Sequence, residues 1–311
     1  MKVLDLHCDT LTKVGYNFET NLRKNKFSID FERLKESHYL AQFFALFIDK
    51  QEHEPYEWAM YLANIFKEEI SKNSDLVKQA YNYKDILENE QDGLVSCLLT
   101  IEEGAALRGS LENLKDFYEM GVRIITLTWN YANDIGYPNC IPKYQNKGLT
   151  TFGYELVEAM NELGIIVDVS HLSDKGFYDV AERCKVPFIA SHSNSRAITN
   201  NPRNLTDDMI RLISEHGGII GINFFAAFLG SSPISKVDDM IKHIQHIYKV
   251  GGIDVLALGS DFDGITCEVE LGDCSGMEIL YNGLLKTGFK EDSIDKIFYS
   301  NGLRVIKEVL K

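Results

Sequence analysis

The chain is poor in several features that mark particular classes of protein, beginning with positive charge. It holds 32 lysine and arginine residues against 46 acidic ones, for a formal net charge of -14. Nucleic-acid backbones are bound by clustered basic side chains, so this balance argues against a nucleic-acid partner. Long apolar runs are also missing, because the longest, over residues 219–229, is interrupted by Asn223 and falls short of a bilayer span. We therefore expect no membrane segment.

Cysteine is scarce and follows no recognisable pattern. The six cysteines show no C-x-x-C spacing, and Cys8 and Cys97 fall within predicted buried strands. We interpret all six as reduced thiols packed as small hydrophobic side chains. Met1 is followed by one lysine and then by a strand, without the apolar region or small-residue cleavage site of a secretory signal. These observations predict a cytoplasmic protein.

What the sequence does contain is a regular alternation of strand-like and helix-like segments. Apolar residues at helical spacing stop at Gly164 in one segment, and Ser173 and Thr206 are placed to cap the starts of two further helices. Most of the strand-like runs are apolar throughout, as parallel strands covered on both faces should be. The eight predicted strands are residues 3–6, 43–48, 94–101, 122–128, 165–169, 188–191, 218–223 and 255–259.

Eight strand and helix units, without a Pro/Ser-rich linker or a low-complexity tract, predict an α/β fold. The specific prediction is one (β/α)8 TIM barrel domain over residues 1–311. A doubly wound open sheet is the competing fold. Such a sheet, if it bound a dinucleotide, would require a glycine-rich turn after the first strand, and His7-Cys8-Asp9-Thr10 is not one. Residues 231–238 and 267–276 are predicted to form loops over the barrel mouth.

Five side chains that commonly bind metal ions stand where predicted strands end. Barrel strands direct their carboxyl ends to one mouth, so these scattered residues are expected to meet there. A single histidine, taken alone, is equally well explained as a core residue bonded to a backbone carbonyl. The five residues are His7, Asp9, Glu102, His171 and His192. The remaining histidines lack such positions and are interpreted as solvated: His38, His53, His216, His243 and His246.

The chemistry of this set points to metal-assisted hydrolysis. His7 and Asp9, two residues apart on a strand, project from the same face and can hold one ion together. Three imidazoles and two carboxylates suit divalent transition ions, with zinc the first choice. Five ligands exceed what one catalytic zinc takes from protein, but they divide over two ions if Glu102 bridges them. A water shared by two such ions ionises near neutral pH and becomes a nucleophile.

Two carboxylates follow the last predicted strand. Asp261 is placed to shuttle a proton between the metal-bound water and a leaving amine. Asp263, beside Gly264, better fits an aspartate that caps a loop. A calcium-binding loop is excluded, because Ile265 and Gly272 occupy positions that require oxygen-bearing side chains.

Arg203 follows His192 by eleven positions and precedes the next helix. A guanidinium at that place can hold a substrate carboxylate through two parallel hydrogen bonds. A surface salt bridge explains Arg203 about as well, and the sequence leaves both interpretations open.

The motifs around these residues resemble those of a known family, the membrane (renal) dipeptidases of the metal-dependent amidohydrolase superfamily. The resemblance runs from Asp5 to about Arg304, nearly the whole chain. Together the motifs are specific, whereas the short His-x-Asp alone is a weak signal. They are His7-Cys8-Asp9, Ile101-Glu102, Asp168-Val169-Ser170-His171, Ser191-His192-Ser193, residues 200–204 and residues 259–264.

The resemblance implies a barrel with two zinc ions bridged by Glu102. It further implies that Asp261 is the acid/base residue and that Arg203 binds the C-terminal carboxylate of a dipeptide. The family cleaves dipeptides, often with a D-residue on the C-terminal side, and commonly forms homodimers. The ligands that would complete the two ions are His7 and Asp9 for one, and His171 and His192 for the other.

This chain departs from the mammalian members at two places. Those members have a histidine that contacts the substrate after the fourth strand, where this chain has Thr128-Trp129-Asn130. Glu103 stands where they have glycine.

The leading hypothesis is a cytoplasmic metalloprotease, a binuclear zinc dipeptidase that attacks the peptide bond with a metal-bridging hydroxide. The nearest alternative is another amidohydrolase-type enzyme, such as a lactonase or a deaminase, that uses the same water on a different electrophile. A non-catalytic barrel that binds a metal or a ligand is the alternative from another class.

Overall fold

Strands and helices alternate in the computed structural model, which describes residues 1–17 and 19–311. The nine strands of the described residues are β1 (Val3–Asp5), β2 (Tyr39–Phe47), β3 (Val77–Gln79), β4 (Val95–Glu102), β5 (Val122–Thr126), β6 (Ile166–Asp168), β7 (Ile189–Ala190), β8 (Ile219–Ile222) and β9 (Leu256–Leu258).

The helices fill the intervals between the strands. In the described residues they are α1 (Thr10–Gly15), α2 (Phe31–Glu36), α3 (Pro55–Lys72), α4 (Tyr83–Gln91), α5 (Leu111–Met120), α6 (Thr151–Leu163), α7 (Asp174–Arg183), α8 (Asp207–Glu215), α9 (Ala226–Leu229), α10 (Val237–Gly251), α11 (Met277–Lys286), α12 (Glu291–Asp295) and α13 (Asn301–Val309). One π-helical turn, Lys296–Ser300, joins α12 to α13. None of these helices is long and apolar enough to cross a membrane.

Eight of the strands close into a parallel barrel. Their hydrogen-bonded order is β2-β1-β9-β8-β7-β6-β5-β4, and the ring closes because β2 also pairs with β4, from Ala41↔Ser96 to Phe47↔Glu102. The predicted (β/α)8 barrel is therefore confirmed. The open doubly wound sheet is excluded, because such a sheet has two free edges.

The apolar pattern does not predict two details of the strands. β3, which pairs with the start of β4, was not predicted, because its buried Val77 is followed by the exposed Lys78. β2 begins at Tyr39 rather than at residue 43. The apolar run is broken by Gln42, yet that side chain is buried in the structure.

Side chains from the strands fill the barrel interior, as is usual for this fold. They form a buried cluster separate from the larger apolar layer between the strands and the helices. Val305 and Ile306 of α13 belong to the same inner cluster. Its members from the barrel strands include Leu4, Phe43, Leu98, Ile124, Ile166, Ile189, Ile219 and Ala257.

Two glycines allow three neighbouring strands to approach closely below the mouth. A Cβ atom on Gly221 would lie 1.9 Å from the carbonyl oxygen of Ser191, and one on Gly259 would lie 1.8 Å from the same oxygen. No real Cβ contact is that short, so only glycine fits at either position. The close approach fixes the segment after β7, where His192 follows Ser191.

The predicted helix ends are confirmed by their capping bonds. Gly164 takes the left-handed conformation directly after α6. Ser173 accepts a hydrogen bond from the backbone N–H of Gly176 at the start of α7, and Thr206 accepts one from Met209 at the start of α8. These caps satisfy backbone groups that a helix end leaves without partners.

Candidate metal centre

The carboxyl ends of the barrel strands bring the five predicted metal-binding residues together. His7 and Asp9 follow β1, Glu102 is the last residue of β4, and His171 and His192 follow β6 and β7. All five are 7% exposed or less. Side chains far apart in the sequence thus meet at the barrel mouth, as the strand-end pattern predicts.

Glu102 lies between the other donors. Its Oε2 is 3.2 Å from Nε2 of His7, whereas its Oε1 is 3.1 Å from Nε2 of His171 and 3.5 Å from Nε2 of His192. On the His7 side, Oδ2 of Asp9 is 3.4 Å from the same Nε2 atom. A carboxylate whose two oxygens face different ligands is able to bind one ion through each oxygen.

Several of these polar atoms are buried without a hydrogen-bond partner. Both ring nitrogens of His7 and Oδ1 of Asp9 have none among the described residues. The Nε2 atoms of His171 and His192 face each other at 3.0 Å. Buried polar atoms are normally paired, so converging lone pairs of this kind are typical of a metal site. Imidazoles and carboxylates are also the donor set that zinc prefers, and the site therefore fits zinc.

Burial and neighbouring charges set the protonation of the imidazoles. Burial, helped by the positive charge of Arg203, lowers the pKa of His171 to about 4. Burial and the charge of His7 hold the pKa of His192 well below its usual value. Both rings are therefore neutral near pH 7 and present a lone pair. His7 differs, because the surrounding carboxylates outweigh its burial and raise its pKa well above the usual value.

The pKa values of the two carboxyl groups, Glu102 and Asp261, are shifted in opposite directions. Burial acts to raise the pKa of Glu102, but the charge of His7 and the contacts with the three imidazoles outweigh it and hold that pKa well below its usual value. Burial raises the pKa of Asp261 well above its usual value, against the attraction of His7 and with the repulsion of Asp9 and Glu102. One mouth thus holds an ionised carboxylate and a carboxyl that readily keeps a proton.

Asp261 follows β9 and turns its side chain to the same mouth. Its Oδ1 is 3.9 Å from Nε2 of His7, and its Oδ2 accepts a hydrogen bond of 2.8 Å from Nδ2 of Asn223. Ligand atoms of His7, Asp9 and Asp261 all lie within 4.8 Å of one another. The backbone φ of 61° at Asp261 is unusual for a residue other than glycine, and such strain is concentrated at functional sites.

A buried aspartate behind the histidines was given no role from the sequence. Asp168 accepts hydrogen bonds from Oγ of Ser191 at 2.5 Å and Oγ1 of Thr126 at 2.6 Å, and from the backbone N–H groups of Ser170 and Ser191. Oγ of Ser191 is in turn 2.7 Å from Nδ1 of His192. A hydroxyl that donates to Asp168 accepts from Nδ1–H of His192, which turns the lone pair of Nε2 to the mouth. In the sequence, the one sign of such a role is that Asp168 is an acidic residue within the apolar run of β6.

Replacing Ser191 by alanine tests this chain of hydrogen bonds. We expect S191A to weaken the binding of added zinc by roughly 10-fold or more, because His192 loses the acceptor that fixes its tautomer. Competition with a chelator measures this effect. Ser214→Ala removes a comparable bond, from Oγ to the carbonyl oxygen of Gly251, and should leave the zinc affinity unchanged. Parental zinc affinity in S191A would refute the role of Ser191.

Arg203 lies buried beside the mouth and is only 4% exposed. Its Nη1 donates to Oγ of Ser193 at 3.3 Å, its Nη2 donates to the carbonyl oxygen of His192 at 3.1 Å, and its guanidinium lies 5.3 Å from the ring centre of Phe228. It has no salt bridge in the described part of the chain, and its Nε has no partner there. The surface salt bridge is therefore the wrong interpretation. A buried guanidinium without a carboxylate suits an incoming anion.

A cavity of about 560 Å³ opens above these residues. That volume is typical of small-molecule sites. The ring of Trp129 meets that of Phe47 edge-on, with centroids 4.8 Å apart, and both belong to the cavity wall. Further lining residues are Phe225 and Phe228, with Lys13, Asp49 and Glu52 as charged groups.

One histidine expected to be solvated is buried. Nδ1 of His243 accepts a hydrogen bond of 3.0 Å from the backbone N–H of Ser195, and its Nε2 therefore donates to the carbonyl oxygen of Leu229 at 3.0 Å. His243 shares the inner face of α10 with Met240 and Ile244, so the helical period turns it inward. The other four are at least partly exposed: His38, His53, His216 and His246.

Three smaller predictions have mixed outcomes. Asp263 caps a loop as predicted, since it accepts from the backbone N–H of Ser28 at 2.8 Å and from the hydroxyl of Thr10. The loops 231–238 and 267–276 bond to each other through Ser235, and neither belongs to the wall of the cavity. Four cysteines are buried, but Cys140 is exposed at the cavity, and Cys267 is only partly buried.

Comparisons with known proteins agree with this geometry. Residues 1–311 match the family model described as membrane dipeptidase, peptidase family M19. Dipeptidase 3 of Mus musculus is 30% identical over 301 residues, which are 94% of this chain and 60% of that protein. This chain therefore spans three fifths of that relative.

Two solved structures are similar over nearly their whole length. A metallopeptidase of Rhodobacter sphaeroides, solved with a phosphinate mimic of the dipeptide L-Ala-D-Ala, superposes with a TM-score of 0.92 at 25% identity, over 99% of both chains. The metallopeptidase dipeptidase AC, of family M19, superposes with a TM-score of 0.93 at 27% identity, over 100% of this chain and 99% of that one.

Proposed function

This chain belongs to the membrane dipeptidase family, peptidase family M19, and we propose that it hydrolyses dipeptides with the help of two zinc ions. The observation that supports two ions best is the position of Glu102, whose oxygens face His7 on one side and two imidazoles on the other. When bound, two zinc ions supply a water that ionises near neutral pH and polarise the carbonyl that it attacks. The residues that would hold them are His7 and Asp9, His171 and His192, with Glu102 shared.

Arg203 orients the substrate in this proposal. Its guanidinium is buried, lines the cavity and lacks a carboxylate partner in the described residues. A dipeptide brings a free C-terminal carboxylate, which can accept two hydrogen bonds from one guanidinium. Because Arg203 also donates to the carbonyl oxygen of His192, it holds that carboxylate at a fixed distance from the metal-competent residues.

Asp261 protonates the departing amine. Its raised pKa favours the protonated form that a general acid requires. Asn223 donates to Oδ2 of Asp261 and leaves Oδ1 facing the mouth. The proton is therefore held on the oxygen that faces the mouth.

The dipeptide mimic bound by the Rhodobacter sphaeroides protein favours a dipeptide over a lactone or a nucleobase as the substrate of this chain. It also favours acceptance of a D-residue at the C-terminal position. Both L-Ala-L-Ala and L-Ala-D-Ala therefore belong in the first assay, together with a lactone and a nucleoside as substrates of the competing reactions.

A free C-terminus should be required for turnover. We expect a dipeptide amide to be hydrolysed roughly 100-fold less efficiently than the free dipeptide, because the amide gives up the charged hydrogen bonds to Arg203. The measurement compares kcat/KM for each dipeptide and its amide on zinc-loaded protein. Equal turnover of the two forms would remove Arg203 from its role. Turnover of the lactone or the nucleoside alone would replace the dipeptidase proposal itself.

A further inference from the structure

We infer that Glu103 is a positioning residue that fixes the loop after β5, so that Asn130 in this loop orients the imidazole of His171. The inference rests on the proposed function, in which His171 binds a metal ion. It concerns two residues that take no direct part in the proposed reaction and that the strand-end pattern did not single out as ligands.

Glu103 adopts a backbone that its residue type disfavours. Its φ is 90°, in the region that glycine enters freely and other residues avoid, and the residue is fully buried. Its carboxylate accepts three hydrogen bonds, from the backbone N–H of Ala105 at 3.0 Å, from that of Trp129 at 3.1 Å and from Nδ2 of Asn133 at 2.5 Å. Two of the three donors belong to the loop after β5, so this side chain ties the end of β4 to that loop.

Asn133 extends the same connection within the loop. Its Nδ2 also donates to the carbonyl oxygen of Leu127 at 2.9 Å, and its Oδ1 accepts from the backbone N–H groups of Ile135 and Gly136. Asn133 thus connects the two ends of the segment from residue 127 to residue 136, and hydrogen bonds from Trp129 and Asn133 attach the middle of the segment to Glu103. Asn130 lies inside this segment.

Asn130 is the polar neighbour of His171 at the Nδ1 edge of its ring. Its Oδ1 is 3.3 Å from Nδ1 of His171, while Nε2 of that ring is 3.1 Å from Oε1 of Glu102. An oxygen beside Nδ1 requires the proton on Nδ1, and the lone pair then lies on Nε2. His171 also has a left-handed backbone, with φ of 68°, a conformation that residues other than glycine adopt at an energetic cost. The contact from Asn130 helps to hold the ring of a residue in this unfavourable conformation.

The contrast with His192 explains why this contact is needed. His192 is oriented from behind by Ser191 and Asp168. Asn130 alone approaches Nδ1 of His171 within hydrogen-bond distance among the described residues. Fixing the loop therefore fixes the second imidazole of the same proposed ion.

The test uses five variants of the zinc-loaded protein: E103G, E103Q, N130A, the double variant E103G/N130A, and H38G as the control. E103G relieves the unfavourable φ while it removes all three hydrogen bonds. H38G relieves a comparable φ of 59° at an exposed position remote from the mouth. For each variant the apparent zinc affinity is measured by chelator competition, with kcat/KM for one dipeptide and the thermal midpoint.

We expect E103G and N130A each to lose roughly 10-fold in zinc affinity and in kcat/KM, the range for residues that orient metal ligands. Because Glu103 acts through Asn130, the loss of zinc affinity and of kcat/KM in the double variant should not exceed the larger of the two single-variant losses. H38G should match the parent in both. E103Q keeps the side chain but turns one acceptor oxygen into an NH₂ group, which then opposes either the N–H of Trp129 or the donors of Ala105 and Asn133. It should therefore fall between E103G and the parent.

Parental zinc affinity and kcat/KM in folded E103G would overturn the inference, and so would losses that add in the double variant. If E103G does not fold, E103Q decides, and parental values there would overturn it equally. A parent protein that neither binds zinc nor cleaves dipeptides would instead overturn the proposed function. The two failures are therefore distinguishable.

Discussion

Replacing Glu102 by glutamine should reduce kcat/KM by on the order of 10³-fold and lower the zinc content of the protein, the largest effect that we expect from any single substitution. Glutamine keeps the size of the side chain but turns one carboxylate oxygen into an amide NH₂. In either orientation of the amide, one side of Glu102, toward His7 or toward His171 and His192, then loses its ligand oxygen. An N–H group cannot bind a cation, so at least one ion should be lost.

Zinc content per chain, measured after removal of free metal, is the readout for this variant, together with dipeptide kinetics. Glu119→Gln, at an exposed position on α5, makes the same chemical change away from the mouth and should retain parental values. E102Q that keeps both the parental zinc content and the parental kcat/KM would show that Glu102 does not bridge the ions. Thermal unfolding of the zinc-free proteins separates metal loss from misfolding.

Replacing Arg203 by methionine should lower kcat/KM for a free dipeptide by roughly 100-fold, since hydrogen bonds to a charged group contribute about 1.5–3 kcal/mol. Methionine keeps much of the apolar stem that packs near Phe228 and removes the charge. The corresponding dipeptide amide, which has no carboxylate to lose, should be cleaved about equally by the variant and the parent. The expected signature is thus the disappearance of the preference for a free C-terminus.

The matched control for R203M is R211M, because Arg211 is an exposed arginine on α8. It should keep the parental preference for free dipeptides over amides. If kcat/KM of R203M falls by the same factor for the free dipeptide and for its amide, Arg203 supports the structure of the site without binding the C-terminal carboxylate. Zinc content should stay parental in R203M, because Arg203 offers no lone pair to a metal ion.

The sequence predicted the barrel and its mouth because both depend on local patterns. Apolar runs of strand length predict buried parallel strands, and a polar residue at the end of such a run is easily identified. His7, Glu102, His171 and His192 are all of this kind, and the barrel brings strand ends together whatever the details of register. The prediction of their convergence therefore did not require the exact pairing of any strand.

What the sequence could not reveal depends on contacts between distant segments. The role of Asp168 follows only from its hydrogen bonds to Ser191 and Thr126 in neighbouring strands. Glu103 departs from the glycine of the mammalian members, but its three hydrogen bonds appear only when the loop after β5 is placed. His243 has the polarity of a surface residue, and its burial depends on how α10 packs. Each case requires tertiary structure.

The central claim is that two metal ions are bound on either side of Glu102. It is tested most directly by anomalous X-ray diffraction at the zinc absorption edge on crystals of the zinc-loaded protein. We expect two anomalous peaks, one between His7 and Oε2 of Glu102 and the other between Oε1 and the pair His171 and His192. A single peak, or two peaks of which neither contacts Glu102, would contradict the account.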